Sequence, residues 1–292
     1  NGYRYSGKKR DNSKSKILFI GDSHTYGYGV PYKDSFPGII ENKILSHEVY
    51  NLGVPGYGIR MYWNAVEDFF IKNNDNVSHI FVTLDKTDIV DLTDVWEEIP
   101  LTKYPVQKSH QVKEEIDAWD KIKDSNFKGI RLISFYLRNF LRHLKFKFSN
   151  DYKKNEDTAL RSDIANFTYT DLKEHKFFNE IEFQDALKDI DKYFGKISNI
   201  SQKHNAKIYL VIFPWPENLI YGQKNFNWEN FSKEICEKHK CQKVISLYKD
   251  FNNIKNKNTD WKQLIYIDDD IHMKQFGNSI VADKIIKNIK FR

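Results

Sequence analysis

The amino-acid sequence predicts an α/β protein in three layers, with a five-stranded parallel sheet covered by helices on both faces. Three observations carry this expectation. Short apolar runs recur along the chain, segments with apolar residues at three- and four-residue spacing lie between them, and the two kinds alternate. A run that is apolar on successive residues suits a strand buried on both sides, as strands are beneath the crossover helices of a parallel sheet.

The elements follow in order. Residues 1–15 (NGYRYSGKKRDNSKS) are polar and read as a lead-in arm, leaving 16–292 as the main domain. The first strand is Lys16–Ile20, stopped by Gly21. Further strands are expected at Glu48–Leu52, His79–Leu84, Lys207–Phe213 and Lys243–Tyr248. Helical spacing marks Phe36–Leu45, Ile59–Lys72, Ile181–His204, Trp228–Lys240 and Gln275–Ile289, with Gly277 an unfavourable residue early in the last.

From about Asp91 to Asn179 the alternation breaks, over a stretch too long for a βα loop and too apolar for disorder. A mainly helical insertion is expected there. In Gly129–Phe148, Ile133, Leu137, Phe140, Leu141 and Leu144 share one face, while Arg131, Arg138, Arg142 and Lys145 share another. Such a helix packs on the core with a solvated basic face, or lies on a membrane or partner surface.

Composition narrows the function classes. The 292 residues are 40% hydrophobic and 29% charged, as in a folded globular chain rather than a disordered or fibrous one. The net charge of +6 is spread over short, scattered clusters, so no nucleic-acid partner is expected. Two cysteines, Cys236 and Cys241, suffice for neither a disulfide framework nor a four-cysteine zinc site; one bridge and two free thiols both stay open. No apolar run approaches the ~20 residues of a membrane span. The chain starts at Asn1 without a signal-like segment, and an extracytoplasmic protein trimmed of a signal or anchor is the expectation.

Three segments carry chemistry. Ser23 lies in Gly21-Asp22-Ser23-His24-Thr25, on the turn leaving the first strand, where α/β sheets collect their ligands. Alone, the triplet reads equally as a turn or helix cap. Near the other end, Asp268-Asp269-Asp270-Ile271-His272 precedes the final helix. A serine hydroxyl needs a base, and an imidazole base needs a carboxylate to fix its tautomer. Asp269, three residues before His272, has that spacing, and Asp268 and Asp270 are close enough to be confused with it. The third segment, Asn51-Leu52-Gly53-Val54-Pro55-Gly56-Tyr57-Gly58, makes a sharp loop whose glycine N–H groups suit an oxyanion.

Together, in this order and spacing, these segments resemble the SGNH (GDSL-like) hydrolases over roughly residues 15–90 and 205–290. The resemblance implies a flavodoxin-like sheet and a serine esterase, or an O-acyltransferase using the same serine. It implies Ser23 as nucleophile, His272 as base and Asp269 as its acid, with an oxyanion hole from Ser23, Gly56 and the third block. That block departs from the family's Gly-x-Asn-Asp: it reads Asp85-Lys86-Thr87-Asp88, so Thr87 stands where an asparagine is expected. Loss of one oxyanion donor typically costs about 10²–10³ in turnover, which keeps a binding protein on a decayed hydrolase scaffold among the alternatives. His24 and Tyr57 are candidates for contacting substrate, as are Tyr26 and Tyr28 on the same rim. Phe213-Pro214-Trp215-Pro216 ends the fourth strand as pocket wall or plain loop. No metal or organic cofactor is implied. The expected partner is a small-molecule or glycan ester.

Overall fold

The computed structural model describes residues 4–73, 76–85, 88–89, 180–223, 226–268, 270–289 and 291. The chain divides into two compact units, Asn1–Asp94 with Leu160–Arg292, and Val95–Ala159. The second unit, and with it the expected Gly129–Phe148 helix, lies outside the described residues.

The first unit runs β1 (Ser15–Ile20), α1 (Ser23–Tyr26), a 3-10 turn (Tyr32–Asp34), α2 (Phe36–Lys43), β2 (His47–Asn51), α3 (Ile59–Asn73) and β3 (Val77–Leu84). It resumes with α4 (Glu180–Lys203), β4 (Lys207–Ile212), α5 (Pro216–Tyr221), α6 (Trp228–Lys238) and β5 (Lys243–Ser246). It closes with α7 (Tyr248–Lys257), α8 (Trp261–Ile265) and α9 (Gln275–Asn288). The strands form one parallel sheet in the order β2-β1-β3-β4-β5, as expected from the sequence.

Strand alternation sorts the core into two layers. Leu18, Ile20, Ile80, Val82 and Leu210 face one side, where α3, α4 and α6 cover them with Tyr62, Phe69, Phe194 and Trp228. Ile17, Phe19, Phe81 and Val211 face the other, under Phe36, Ile40, Phe251 and Val281 of α2, α7 and α9. Hence each inner strand reads as continuously apolar.

Gly277 follows from packing. A Cβ there would come within 2.7 Å of the Ile265 carbonyl oxygen, so glycine lets α9 sit tightly against α8. One residue on, Asn278 joins α9 to α2: its amide donates to Met273 O (2.9 Å) and its carbonyl accepts from Phe36 N (3.0 Å). The lead-in segment is also tied down. Arg4 donates to the carbonyls of Tyr26, Gly27 and Val30 at 2.6–2.7 Å. Cys236 and Cys241 form a disulfide across the turn from α6 to β5. No helix among the described residues is long and apolar enough to cross a membrane.

The sheet order places the site. From β1 the chain steps to β2 on one side, then returns to β3 on the other. Such a reversal opens a crevice at the carboxyl ends of the two strands. Register pairs Ile20 with Val82, so the segments leaving β1 and β3 emerge side by side.

Candidate active site

Asp22 caps α1: its Oδ1 accepts from His24 N at 2.9 Å. The helix lasts one turn because Gly27 takes a left-handed conformation (φ 79°) and closes it. Ser23 is the first residue of that turn. Gly21 brings the segment against β3, since a Cβ there would collide with the hydroxyls of Thr25 and Thr83. Those hydroxyls bond each other at 2.5 Å, and Thr83 Oγ1 also donates to Ile20 O.

The loop after β2 is bound to the same turn. Buried Asn51 donates to Thr25 O and accepts from Gly53 N, both at 2.9 Å, and Val54 N donates to Gly21 O. Tyr57 N returns to Val54 O, and Gly56 has φ 77°, the left-handed position after Pro55 that glycine fills without strain. Asn51 went unnoticed in the sequence as a tie. Its role depends on pairing Phe19 with Asn51 across the sheet, which no local pattern reports.

His272 sits on a closed loop. Tyr266 and Met273 make an antiparallel bridge, and Ile267 N donates to His272 O at 2.8 Å. The buried Tyr266 hydroxyl donates to Pro214 O (2.7 Å), fixing the loop to the end of β4. The imidazole Nε2 lies 2.8 Å from Ser23 Oγ, and Nδ1 lies 2.6 Å from Asp270 Oδ1. The structure thus brings Ser23 and His272 together across 249 residues of chain.

Three acids precede His272, of which Asp268 and Asp270 are described. Asp269 lies outside the described residues, and the carboxylate on His272 is that of Asp270. The chain bends so that Asp270 Oδ1 meets both the backbone N–H and the ring of the residue two positions on. Thr87 also lies outside the described residues, with Lys86.

His24 is buried and not on the solvent-facing rim. As a substrate contact it would need exposure, yet it is 2% exposed and lies beneath His272, ring centroids 4.8 Å apart. The rings of Phe213 (4.8 Å) and Trp215 (6.5 Å), from the Phe-Pro-Trp-Pro stretch, pack around it. Asp85 Oδ2 lies 3.5 Å from His24 Nε2 and accepts from Trp215 Nε1 at 3.3 Å. Burial pushes the His24 pKa down to about 4 despite the opposing Asp85 carboxylate, so the ring is neutral at physiological pH. Tyr28 also packs on the His272 ring, centroids 4.8 Å apart, and is 52% exposed. Tyr57 is half-buried and packs on the core. Tyr26 carries the Arg4 guanidinium over its ring at 4.5 Å.

Asp22, His24 and Asp85 bring metal-type donor atoms within 4.8 Å of one another. Both carboxylates already serve the protein as hydrogen-bond acceptors, for the α1 cap and the Trp215 indole respectively.

No family profile and no curated protein matches the chain by sequence. Solved structures do match. A catalytic mutant of Axe2, an acetylxylan esterase from Geobacillus stearothermophilus, superposes with TM-score 0.52 at 12% identity, covering 97% of this chain and 98% of its own. TesA superposes with TM-score 0.51 at 8% identity, covering 94% and 98%. A lipolytic protein of the G-D-S-L family from Veillonella parvula gives 0.48 at 14%, covering 94% and 97%. The fold is that of the GDSL-like (SGNH) hydrolases.

Proposed function

We propose that the protein is a serine ester hydrolase with Ser23 as nucleophile, His272 as general base and Asp270 as the acid that orients it. The observation that carries this is the unbroken contact chain from Ser23 Oγ to His272 Nε2 (2.8 Å) and from Nδ1 to Asp270 Oδ1 (2.6 Å). With Asp270 accepting at Nδ1, the neutral ring holds its proton there and leaves Nε2 to accept from the serine hydroxyl.

In this reading Ser23 Oγ attacks the ester carbonyl as its proton passes to Nε2. The oxyanion meets the backbone N–H groups of Ser23 and Gly56 and the hydroxyl of Thr87. His272 then protonates the departing alcohol, and water resolves the acyl-enzyme. The substrate class we propose is an O-acyl, first of all O-acetyl, ester of a carbohydrate; the acetylxylan esterase among the structures of like fold supports this choice over a lipid ester. The Cys236–Cys241 bridge supports an oxidising, extracytoplasmic location.

The test is turnover of p-nitrophenyl acetate and labelling by a fluorophosphonate, on the intact protein and on Ser23→Ala. Expected are turnover and labelling that both vanish with the hydroxyl. Unchanged hydrolysis by the variant overturns the reading. Absence of either signal from the intact protein turns it towards a binding protein. Product analysis with an added sugar acceptor separates hydrolysis from acyl transfer.

A further inference from the structure

We infer that His24, packed with Asp85 beside it, is a positioning residue for the catalytic base, setting the plane of the His272 ring against Ser23. The inference rests on the Ser23–His272 reading above and adds to it a buried pair that the reaction itself does not touch.

His24 and Asp85 are unusual alone and intelligible together. Asp85 stands where the resembling family has the glycine of its third block, and His24 follows the nucleophile directly. Because β1 and β3 are neighbours in register, the two residues leaving them meet. Their side chains are 1% and 3% exposed, with Nε2 and Oδ2 3.5 Å apart. Burying a carboxylate is costly unless donors surround it, and the Trp215 indole is one donor brought to Asp85 by the loop after β4.

The imidazole raises a sharper question. Both nitrogens of His24 are buried without a hydrogen-bond partner among the described residues. A buried polar group left in that state costs about 1–3 kcal/mol, and an apolar side chain would fill the space without that penalty. What His24 does have is geometry: its ring centroid lies 4.8 Å from that of His272, the planes 33° apart, and Tyr28 also contacts His272 at 4.8 Å. Ser23, His24 and Tyr28 belong to one short piece of chain, bonded within itself by Tyr28 N to Ser23 O at 2.9 Å. Nucleophile and base are therefore aligned by one frame. Phe213, Trp215 and Asp85 stop His24 from turning, and His24 in turn limits His272. Its neutrality matters as well: a charged ring there would oppose the imidazolium that forms when Ser23 gives up its proton.

Two variants of the full chain test this, Asp85→Asn, which is isosteric and keeps an acceptor for Trp215, and His24→Phe, which keeps a ring. Each is expected to lower kcat on p-nitrophenyl acetate by about tenfold or more while KM stays within about twofold, the signature of lost alignment rather than lost binding. Fluorophosphonate labelling of Ser23 should slow in parallel, with Tm little changed. The double variant should be no slower than the slower single, since both act through one ring. Wild-type kcat in Asp85→Asn and His24→Phe overturns the inference, as does a double variant whose loss is the product of the two. If His24→Phe fails to fold, Asp85→Asn decides alone. Ser23→Ala is run beside them: residual hydrolysis there sinks the parent reading, whereas its loss with Asp85→Asn unaffected sinks only this one.

Discussion

Asp270 Oδ1 accepts twice from His272, from the backbone N–H at 3.0 Å and at ring Nδ1 at 2.6 Å. One oxygen thus sets both where the residue sits and which way its imidazole faces. Asp268, by contrast, is exposed and pairs with Lys274 at 2.9 Å. Asp268 and Asp270, two positions apart, are therefore not interchangeable. Asp270→Asn should lower kcat by roughly 10³-fold or more, because an amide can donate to Nδ1 and favour the wrong tautomer. Asp269→Asn is expected to stay within about threefold of the parent. Steady-state kinetics on the two variants checks the assignment, and the reverse ranking would return the role to Asp269.

Gly21→Ala addresses how the nucleophile turn is held. The added methyl would run into the Thr25 and Thr83 hydroxyls, which are the link between α1 and β3. Overpacking at a site this closed costs typically about 1–3 kcal/mol. A lower Tm is expected, together with slower labelling of Ser23, since the same turn carries it. A variant with unchanged Tm and unchanged labelling would mean that the turn has room to shift.

The fold was largely legible because the inner strands are mostly apolar on both faces and each long helix keeps one buried face. The five strands fall where those runs lie, within one or two residues at most ends. What escaped was short or non-local. α1 has four residues and α8 five, too few to show a helical period, and α7 is dominated by polar side chains. Ser23 and His272 were readable because each stands in a recognisable local setting. Spacing alone does not separate Asp270 from Asp269, because a spacing of two serves as well as three once the chain doubles back on itself. The His24–Asp85 approach needs the β1–β3 pairing, a relation between residues 61 positions apart.

Tyr28 is the aromatic ring that meets solvent above the base. It is held there by Gly27 and Gly29, both at positive φ, and by the Arg4 guanidinium on the Gly27 and Val30 carbonyls. An exposed aromatic ring beside Ser23 and His272 suits contact with the alcohol part of a substrate. Tyr28→Ala should raise KM for an acetylated sugar by about fivefold or more, with a smaller change on p-nitrophenyl acetate, and Tyr28→Trp should restore the former. Equal changes on both esters would leave Tyr28 as a shield for His272 alone.

Acid should unfold this protein through its buried histidines. His79 lies beside the stacked Phe81 and Tyr209 rings, nearly parallel to both, and contacts His47 and Phe291. Burial, helped by His47 and Lys207, lowers its pKa from 6.5 to about 4, and burial lowers that of His47 as well. Above pH 6.5 neither folded nor unfolded chain protonates these rings, so they leave stability unchanged. Between 6.5 and about 4 the unfolded chain binds protons that the folded chain refuses, and stability falls with pH. Below about 4 both forms carry the proton on His79 and its share of the loss levels off. His79→Phe keeps a ring in the stack and removes that proton site. Its Tm should drop less than the parent's between pH 7 and 5, read by thermal melts across that range. An identical drop in both proteins would place the acid sensitivity elsewhere, with His24 beneath the active site the next group to substitute.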